Sequence, residues 1–218
     1  MPDMSKARLW MVEGQVRTND VTDTRITDVM GRLERERFVP AERQSLAYSD
    51  ACVELKPGRY LQDPRSFAKL VHALEIQEGD RVLDIACGTG YSSAVLASLS
   101  ADVTALEEDE ELVKFASPVL RAARKLGKLT GVVGPHKLGA PSHAPYDVIF
   151  VNGAVEEIPS VWVDQLKEGG RMGVIVKSGA VGKANFCVRK GGVLGRRVAF
   201  DATVPVLPGF ERASSFVF

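Results

Sequence analysis

Val82-Leu83-Asp84-Ile85-Ala86-Cys87-Gly88-Thr89-Gly90-Tyr91 decides how this chain folds. Arg81 to Ala86 is apolar apart from its first residue and Asp84, and it is too short for a helix, so it reads as a buried strand. Gly88 and Gly90 then allow a turn in which backbone can come close to a ligand. Tyr91 to Leu99 continues as an apolar helix. A strand that runs through a glycine turn into a helix is a unit of a parallel α/β sheet, and such sheets bind ligands at the carboxyl ends of their strands.

Downstream the alternation continues. Val103 to Leu106 reads as a second strand closed by Glu107, and Asp109 to Leu126 as an amphipathic helix that Pro118 is placed to kink or split. Gly131 to Val133 follows as a third strand, Tyr146 to Val151 as a fourth, Pro159 to Leu166 as a helix and Gly170 to Val176 as a fifth strand. Residues 184–218 carry short strands ending in a hairpin rather than a long helix, which implies an antiparallel edge. Upstream, residues 5–45 are helical in pattern, with Val29, Met30 and Leu33 at helical spacing. Glu34, Arg35, Glu36 and Arg37 fall on the wet side of that region, and Phe38-Val39-Pro40 ends it. Residues 46–63 carry turn and strand signals around Pro57-Gly58, and Pro64 opens a helix through Phe67, Leu70, Val71 and Leu74. The N-terminal helices are expected to pack over the ligand edge of the sheet.

Bulk properties narrow the partners. Lys plus Arg and Asp plus Glu both number 28, so there is no global field to hold nucleic acid or an anionic membrane. Cys52, Cys87 and Cys187 lack metal-ligand spacing and read as free thiols in a reducing compartment, with no metal site expected. Met1 to Trp10 shows no apolar run behind a basic start, and no segment approaches the ~20 apolar residues of a spanning helix. The cytoplasm is the expected address, and the oligomeric state is open.

Glu107 stands at the end of the second strand, where a carboxylate can accept both hydroxyls of a ribose. The glycine turn lacks the third glycine of a dinucleotide site, so a nucleoside without pyrophosphate is the better ligand. The alternative is a purely structural turn beside a solvated Glu107.

The stretch from Val82 to Tyr91 resembles the first motif of S-adenosylmethionine methyltransferases, and its trailing Tyr91 is typical of the protein-L-isoaspartate O-methyltransferase family. The resemblance spans nearly the whole chain. Met11-Val12-Glu13, Arg37-Phe38-Val39-Pro40 and Ala47-Tyr48-Ser49-Asp50 precede the motif in the family's order. Ala144-Pro145-Tyr146-Asp147-Val148-Ile149, Ile158-Pro159, Gln165-Leu166 and Gly169-Gly170-Arg171 follow it. It implies a Rossmann-like methyltransferase fold of the α/β class, with a mostly parallel sheet, an antiparallel C-terminal edge and an N-terminal helical extension. Residues 1–218 would form one methyltransferase domain, with helices and a substrate loop in 1–78 and the cofactor-binding core in 79–218. It also implies S-adenosylmethionine as cofactor and S-adenosylhomocysteine as product. Asp84, Gly88 and Gly90 would line the methionine part and Glu107 the ribose, with Ala86, Tyr91, Pro135 and His136 completing the set.

This chain departs from the family pattern at three places. Ala86 stands where glycine is usual. Gly134-Pro135-His136 replaces a Gly-Asp-Gly whose aspartate lies near the adenine amino group, which leaves His136 as either an adenine contact or a solvated loop residue. Gly58-Arg59-Tyr60-Leu61-Gln62-Asp63-Pro64 replaces Gly-Gln-Thr-Ile-Ser-Gln-Pro, the family's substrate loop, so Tyr60 and Gln62 stand at its hydroxyl positions. Asp63 adds a charge that would repel a carboxylate unless Arg59 or Arg65 offsets it. Gln62, Tyr60 and Arg59 are therefore the catalytic candidates. The reaction itself asks for little acid–base help, because a carboxyl of pKa about 4 is already ionised at neutral pH. His72, His136 and His143 form no triad, as that chemistry would allow.

Three readings follow. The first is methylation of the α-carboxyl of isoaspartyl residues in damaged proteins. The second is methylation of another carboxylate or small nucleophile on the same fold. The third is a non-catalytic member that binds nucleoside or protein partners.

Overall fold

The computed structural model describes residues 4–99, 102–123 and 128–212, with backbone alone at 117, 119, 120, 122 and 123. Seven strands form one sheet: β3 (Arg81–Ile85), β4 (Asp102–Glu107), β5 (Lys128–Val133), β6 (Tyr146–Val155), β7 (Leu166–Lys177), β8 (Gly182–Lys190) and β9 (Val193–Ala202). A hairpin of β1 (Val53–Lys56) and β2 (Arg59–Leu61) stands apart from it. The sheet order is β5-β4-β3-β6-β7-β8-β9. β3 pairs in parallel with both β4 and β6, so the chain runs outward through β4 and β5 and then returns to the other side of β3. That reversal opens a crevice at the carboxyl ends of β3, β4 and β6. β8 and β9 add antiparallel pairings at the far edge.

The central strands are buried on both faces, which is why they read as unbroken apolar runs. Val82, Leu83 and Ile85 of β3 and Val148 to Val151 of β6 are inaccessible to solvent. The helices that cover them are α3 (Pro64–Ala73), α4 (Tyr91–Leu99), α5 (Glu110–Ala123) and α6 (Ser160–Asp164). Pro64 sits in the first turn of α3 behind Asp63, whose Oδ1 accepts the Ser66 N–H at 2.8 Å as the helix cap. Such a cap is worth about 1 kcal/mol. The Asp63 carboxylate is thus spent on α3 rather than facing a substrate. α5 continues through Pro118 as one helix as far as Ala123, and residues 124–126 of the expected longer helix lie outside the described residues. The C-terminal hairpin has longer strands than expected, and residues 213–218 also lie outside the described residues.

The N-terminal region contains α1 (Ser5–Met11), a π-type turn (Val12–Val16) and α2 (Thr24–Arg32). Its Met11, Val12, Val16, Ile26 and Met30 join the core formed with α3 and α4. The helices therefore lie against α3 and α4, and the segment after α2 reaches the ligand edge, where Phe38 O accepts Thr89 Oγ1. There the expected wet face holds only in part: Arg37 is exposed and Glu34 half-buried, but Arg35 and Glu36 are buried. Arg35 Nε donates to Ala47 O at 2.7 Å, its Nη2 donates to Gln62 O, and its guanidinium lies 4.7 Å from the centre of the Tyr91 ring. The backbone carbonyls at 47 and 62 have no strand partner, and a buried cation satisfies both. No helix among the described residues is long and apolar enough to cross a membrane.

Arg35→Leu removes two charge-assisted hydrogen bonds and a ring contact, so it should destabilise the protein by about 2–4 kcal/mol. Urea denaturation measures this. A loss under ~0.5 kcal/mol would mean that the two carbonyls find water instead.

Candidate active site

β3 ends in the turn Ala86-Cys87-Gly88-Thr89-Gly90. Gly88 and Gly90 adopt φ of 58° and 91°, which glycine tolerates, but Ala86 is also left-handed at 62°. A non-glycine residue held there costs on the order of 1 kcal/mol. The turn is anchored by Cys87 N to Leu106 O at 3.1 Å and by Thr89 Oγ1 to Phe38 O at 2.6 Å. Tyr91 opens α4 and is wholly buried, its ring packed against Phe38 and Phe67 at 5.2 and 5.5 Å. It therefore supports the turn from behind.

Glu107 ends β4 with its carboxylate against that turn, Oε2 accepting the Gly88 N–H at 2.8 Å. The rest of the carboxylate is engaged from within the chain. Arg59 donates from Nη1 to Oε1 at 2.6 Å and from Nη2 to Oε2 at 2.7 Å, a two-pronged pair that is almost fully buried. Oε1 also accepts the N–H groups of Glu108 and Asp109 at 3.0 and 3.1 Å, and His136 Nε2 stands 3.1 Å from it. Burial alone would raise the Glu107 carboxyl, but Arg59 and then His136 override it and hold it well below the ordinary carboxylate range. Glu107 is thus buried and fully partnered, not solvated.

Asp84 is the other buried carboxyl. Its Oδ2 accepts Ser92 Oγ at 2.7 Å and Ser93 Oγ at 2.6 Å, while Oδ1 has no hydrogen-bond partner. Burial pushes its pKa from 3.8 to about 7, against the pull of the Ser93 and Ser92 hydroxyls. Asn152 Nδ2 joins this cluster through Ser92 Oγ at 3.3 Å, and Gln62 Nε2 reaches the neighbouring Val151 O at 3.4 Å. Both amide oxygens, Gln62 Oε1 and Asn152 Oδ1, are buried and unpartnered, as is Asp84 Oδ1. Asp84 Oδ1 and Asn152 Oδ1 belong to one hydrogen-bonded cluster, and Gln62 Oε1 lies on a side chain bonded to the adjoining Val151. Such acceptors suit a cationic ligand that carries N–H donors.

The expected catalytic trio is split. Arg59 goes to Glu107 and Gln62 to Val151 within β6, whereas Tyr60, on the alternate face of β2, is half-buried opposite Glu54. His136 is neither loose nor solvated: its ring lies between Glu107 and Glu108, and its carbonyl accepts Trp162 Nε1 at 2.9 Å. Pro135 precedes it at the start of a short 3₁₀ turn, His136–Leu138. Sequence reasoning missed Ser92, Ser93 and Asn152. Asn152 follows the apolar run of β6 as Glu107 ends that of β4, and this strand-end pattern could have found it. The β1–β2 hairpin covers the site. A Cβ added to Gly88 would come within 3.1 Å of Leu55 Cδ1, and Lys56 Nζ pairs with Asp109 at 2.7 Å. An apolar cleft of about 330 Å³, lined in part by Ala105, Val113, Leu129 and Val133, opens onto Gly88 and Glu107. Among the described residues, no group of His, Cys, Asp or Glu is arranged to hold a metal ion.

A parallel sheet reversing at β3, a glycine turn and an acid-ended neighbouring strand define a Rossmann-like methyltransferase of the S-adenosylmethionine-dependent class. The model of the family described as Protein-L-isoaspartate(D-aspartate) O-methyltransferase matches residues 8–198. The chain belongs to that family of enzymes. It is 36% identical over 172 residues to the protein-L-isoaspartate O-methyltransferase of Methylorubrum populi, covering 79% of each chain. It is 38% identical over 162 residues to that of Methanoculleus marisnigri, covering 74% of this chain and 73% of the relative. A solved protein-L-isoaspartate O-methyltransferase superposes with a TM-score of 0.78 at 26% identity, over 94% of this chain and 66% of that one. The same fold recurs at 19% identity and TM-score 0.76 in a putative Plasmodium falciparum member solved with S-adenosyl-L-homocysteine, over 92% of this chain and 97% of that one.

The raised pKa of Asp84 gives a signed prediction. Its proton is held more tightly in the folded chain than in the unfolded one. Its favourable contribution is complete below its unfolded pKa and is lost as pH rises from about 4 to about 7. Over that window the wild type should therefore lose stability relative to Asp84→Asn, by a few kcal/mol at about 1.4 per pKa unit. Urea titrations at successive pH values test this, and a pH-independent difference would show that Asp84 keeps an ordinary carboxyl pKa in the fold. Ala86→Gly should stabilise the fold by about 1 kcal/mol by relieving the left-handed alanine, and a loss of stability would refute that account.

Proposed function

We propose that this enzyme transfers a methyl group from S-adenosylmethionine to the α-carboxyl of isoaspartyl residues in proteins, the step that opens their repair through a succinimide. The observation that carries the reading is Glu107 seated on the Gly88 N–H at the switch point of the sheet. The residues present fit the cofactor. Glu107 would hold the ribose hydroxyls, and the unpartnered oxygens of Asp84, Asn152 and Gln62 are acceptors for the cationic methionine portion. The apolar cleft beside Gly88 offers a surface for the base. When bound, S-adenosylmethionine supplies an electrophilic methyl, which a carboxylate oxygen takes as the sulfur leaves as a neutral thioether.

The chain's own work is then positional. Gln62, at one hydroxyl position of the family's substrate loop, has an amide only weakly engaged at 3.4 Å and free to turn toward a substrate oxygen. Exclusion of water falls to the β1–β2 hairpin, which lies on the glycine turn. No general base is needed, because the substrate carboxyl is already ionised at neutral pH. Isoaspartyl-containing proteins are the partners this reading names. The free thiols of Cys52, Cys87 and Cys187 favour a reducing compartment such as the cytoplasm.

Transfer of labelled methyl to an isoaspartyl peptide, with the matching aspartyl peptide as control, tests the reading. Glu107→Ala should weaken S-adenosylhomocysteine binding by about 1–3 kcal/mol. Tyr60→Thr combined with Gln62→Ser should raise methylation of the peptide. Cofactor binding without methylation of the peptide, in either form, would move the assignment to another nucleophile.

A further inference from the structure

The Glu107 carboxylate that a ribose would need has no acceptor capacity left. Arg59 holds both oxygens, Gly88 N–H takes Oε2, and two further backbone N–H groups and His136 crowd Oε1. Of these, the backbone donors cannot leave without unfolding the turn or the start of α5. Arg59 can. It sits on a three-residue strand of a hairpin separate from the main sheet, so its withdrawal breaks no pairing of that sheet. Among the described residues, its guanidinium's other hydrogen bond is a long one, Nη2 to Ala86 O at 3.4 Å.

Charge balance then says where the guanidinium must go. The Arg59–Glu107 pair is neutral and buried. A ribose brings hydroxyl donors to Glu107 but no charge, so displacing Arg59 leaves a cation short of its partner. A carboxylate is the group a guanidinium grips best, in the same two-pronged geometry. The acceptor in the proposed reaction is a carboxylate, and Arg59 lies within the stretch that aligns with the family's substrate loop.

We propose that Arg59 is a two-position specificity residue. It closes Glu107 against the cofactor's ribose and, once displaced, takes the carboxylate of the substrate, so the cofactor binds first and creates the substrate site. This rests on the function proposed above. It makes the free enzyme pay a conformational toll for cofactor, since apparent affinity falls by the fraction of molecules that are open. It also makes cofactor and substrate mutually reinforcing.

Calorimetry with S-adenosylhomocysteine, and separately with adenosine, on the wild type, Arg59→Met and Arg59→Lys provides the test. Arg59→Met should bind both ligands about tenfold or more tightly than the wild type, with Arg59→Lys between them. An isoaspartyl peptide should bind the wild type only when S-adenosylhomocysteine is present, and should bind Arg59→Met weakly even then. Tighter adenosine but weaker S-adenosylhomocysteine binding in Arg59→Met would overturn the substrate half, because Arg59 would then serve the cofactor's own carboxylate. Equal affinities in all three proteins would overturn the proposal while leaving the function intact. Binding of neither ligand by any of them would remove the cofactor reading itself. Hydrogen exchange on the wild type decides the matter even if the variants fold poorly. Added S-adenosylhomocysteine should loosen the amides of Arg59–Leu61 while protecting Gly88, and protection of both would count against displacement.

Discussion

A carboxyl group buried in a protein must either find positive partners or keep its proton. Two such groups stand side by side at the carboxyl end of this sheet, and they resolve the constraint in opposite ways. Glu107 is ionised, gripped by the Arg59 guanidinium and backbone N–H groups. Asp84 is offered only the hydroxyls of Ser92 and Ser93, so burial lifts it to about 7. The difference in partners, more than any difference in depth, gives one cleft both a fixed negative charge and a carboxyl poised to respond to a cationic ligand.

Much of the remaining structure serves these two groups. The reversal at β3 brings the ends of β3, β4 and β6 together, and the glycine turn lets Gly88 reach Glu107. The N-terminal segment closes the arrangement from outside. Phe38 receives Thr89 and packs on Tyr91, while Arg35 ties the carbonyls of Ala47 and Gln62 to the same aromatic ring. Through Gln62 this tether reaches the loop on which Arg59 lies. A change in the N-terminal helices would therefore be felt in the substrate loop without touching the sheet.

The reading of site residues from motif position alone went astray where charge pairing intervened. Asp63, taken as a repulsive charge in the loop, is the cap of α3. Arg35 and Glu36, taken as a wet face, are buried where their charges are used. His136, weighed as an adenine contact or a free loop residue, is locked between two glutamates. The Asp63 cap is local, its partner Ser66 lying three residues on, whereas Arg35 and His136 found partners distant in sequence that no local pattern encodes.

The sequence by itself determined the strand-turn-helix unit, the parallel core, the antiparallel hairpin at the end and the positions of Asp84 and Glu107. Those features depend on apolar periodicity, glycine placement and strand-end polarity, all local properties of the chain. Only the tertiary structure decided that Arg59 lies on Glu107, that Ser92, Ser93 and Asn152 gather around Asp84, and that Tyr60 stands apart from Gln62. The hydrogen bonds among these groups join residues from 8 to 60 positions apart. They are chosen by which buried charges and amides the fold brings within hydrogen-bonding reach, and that distance exists only once the sheet has formed.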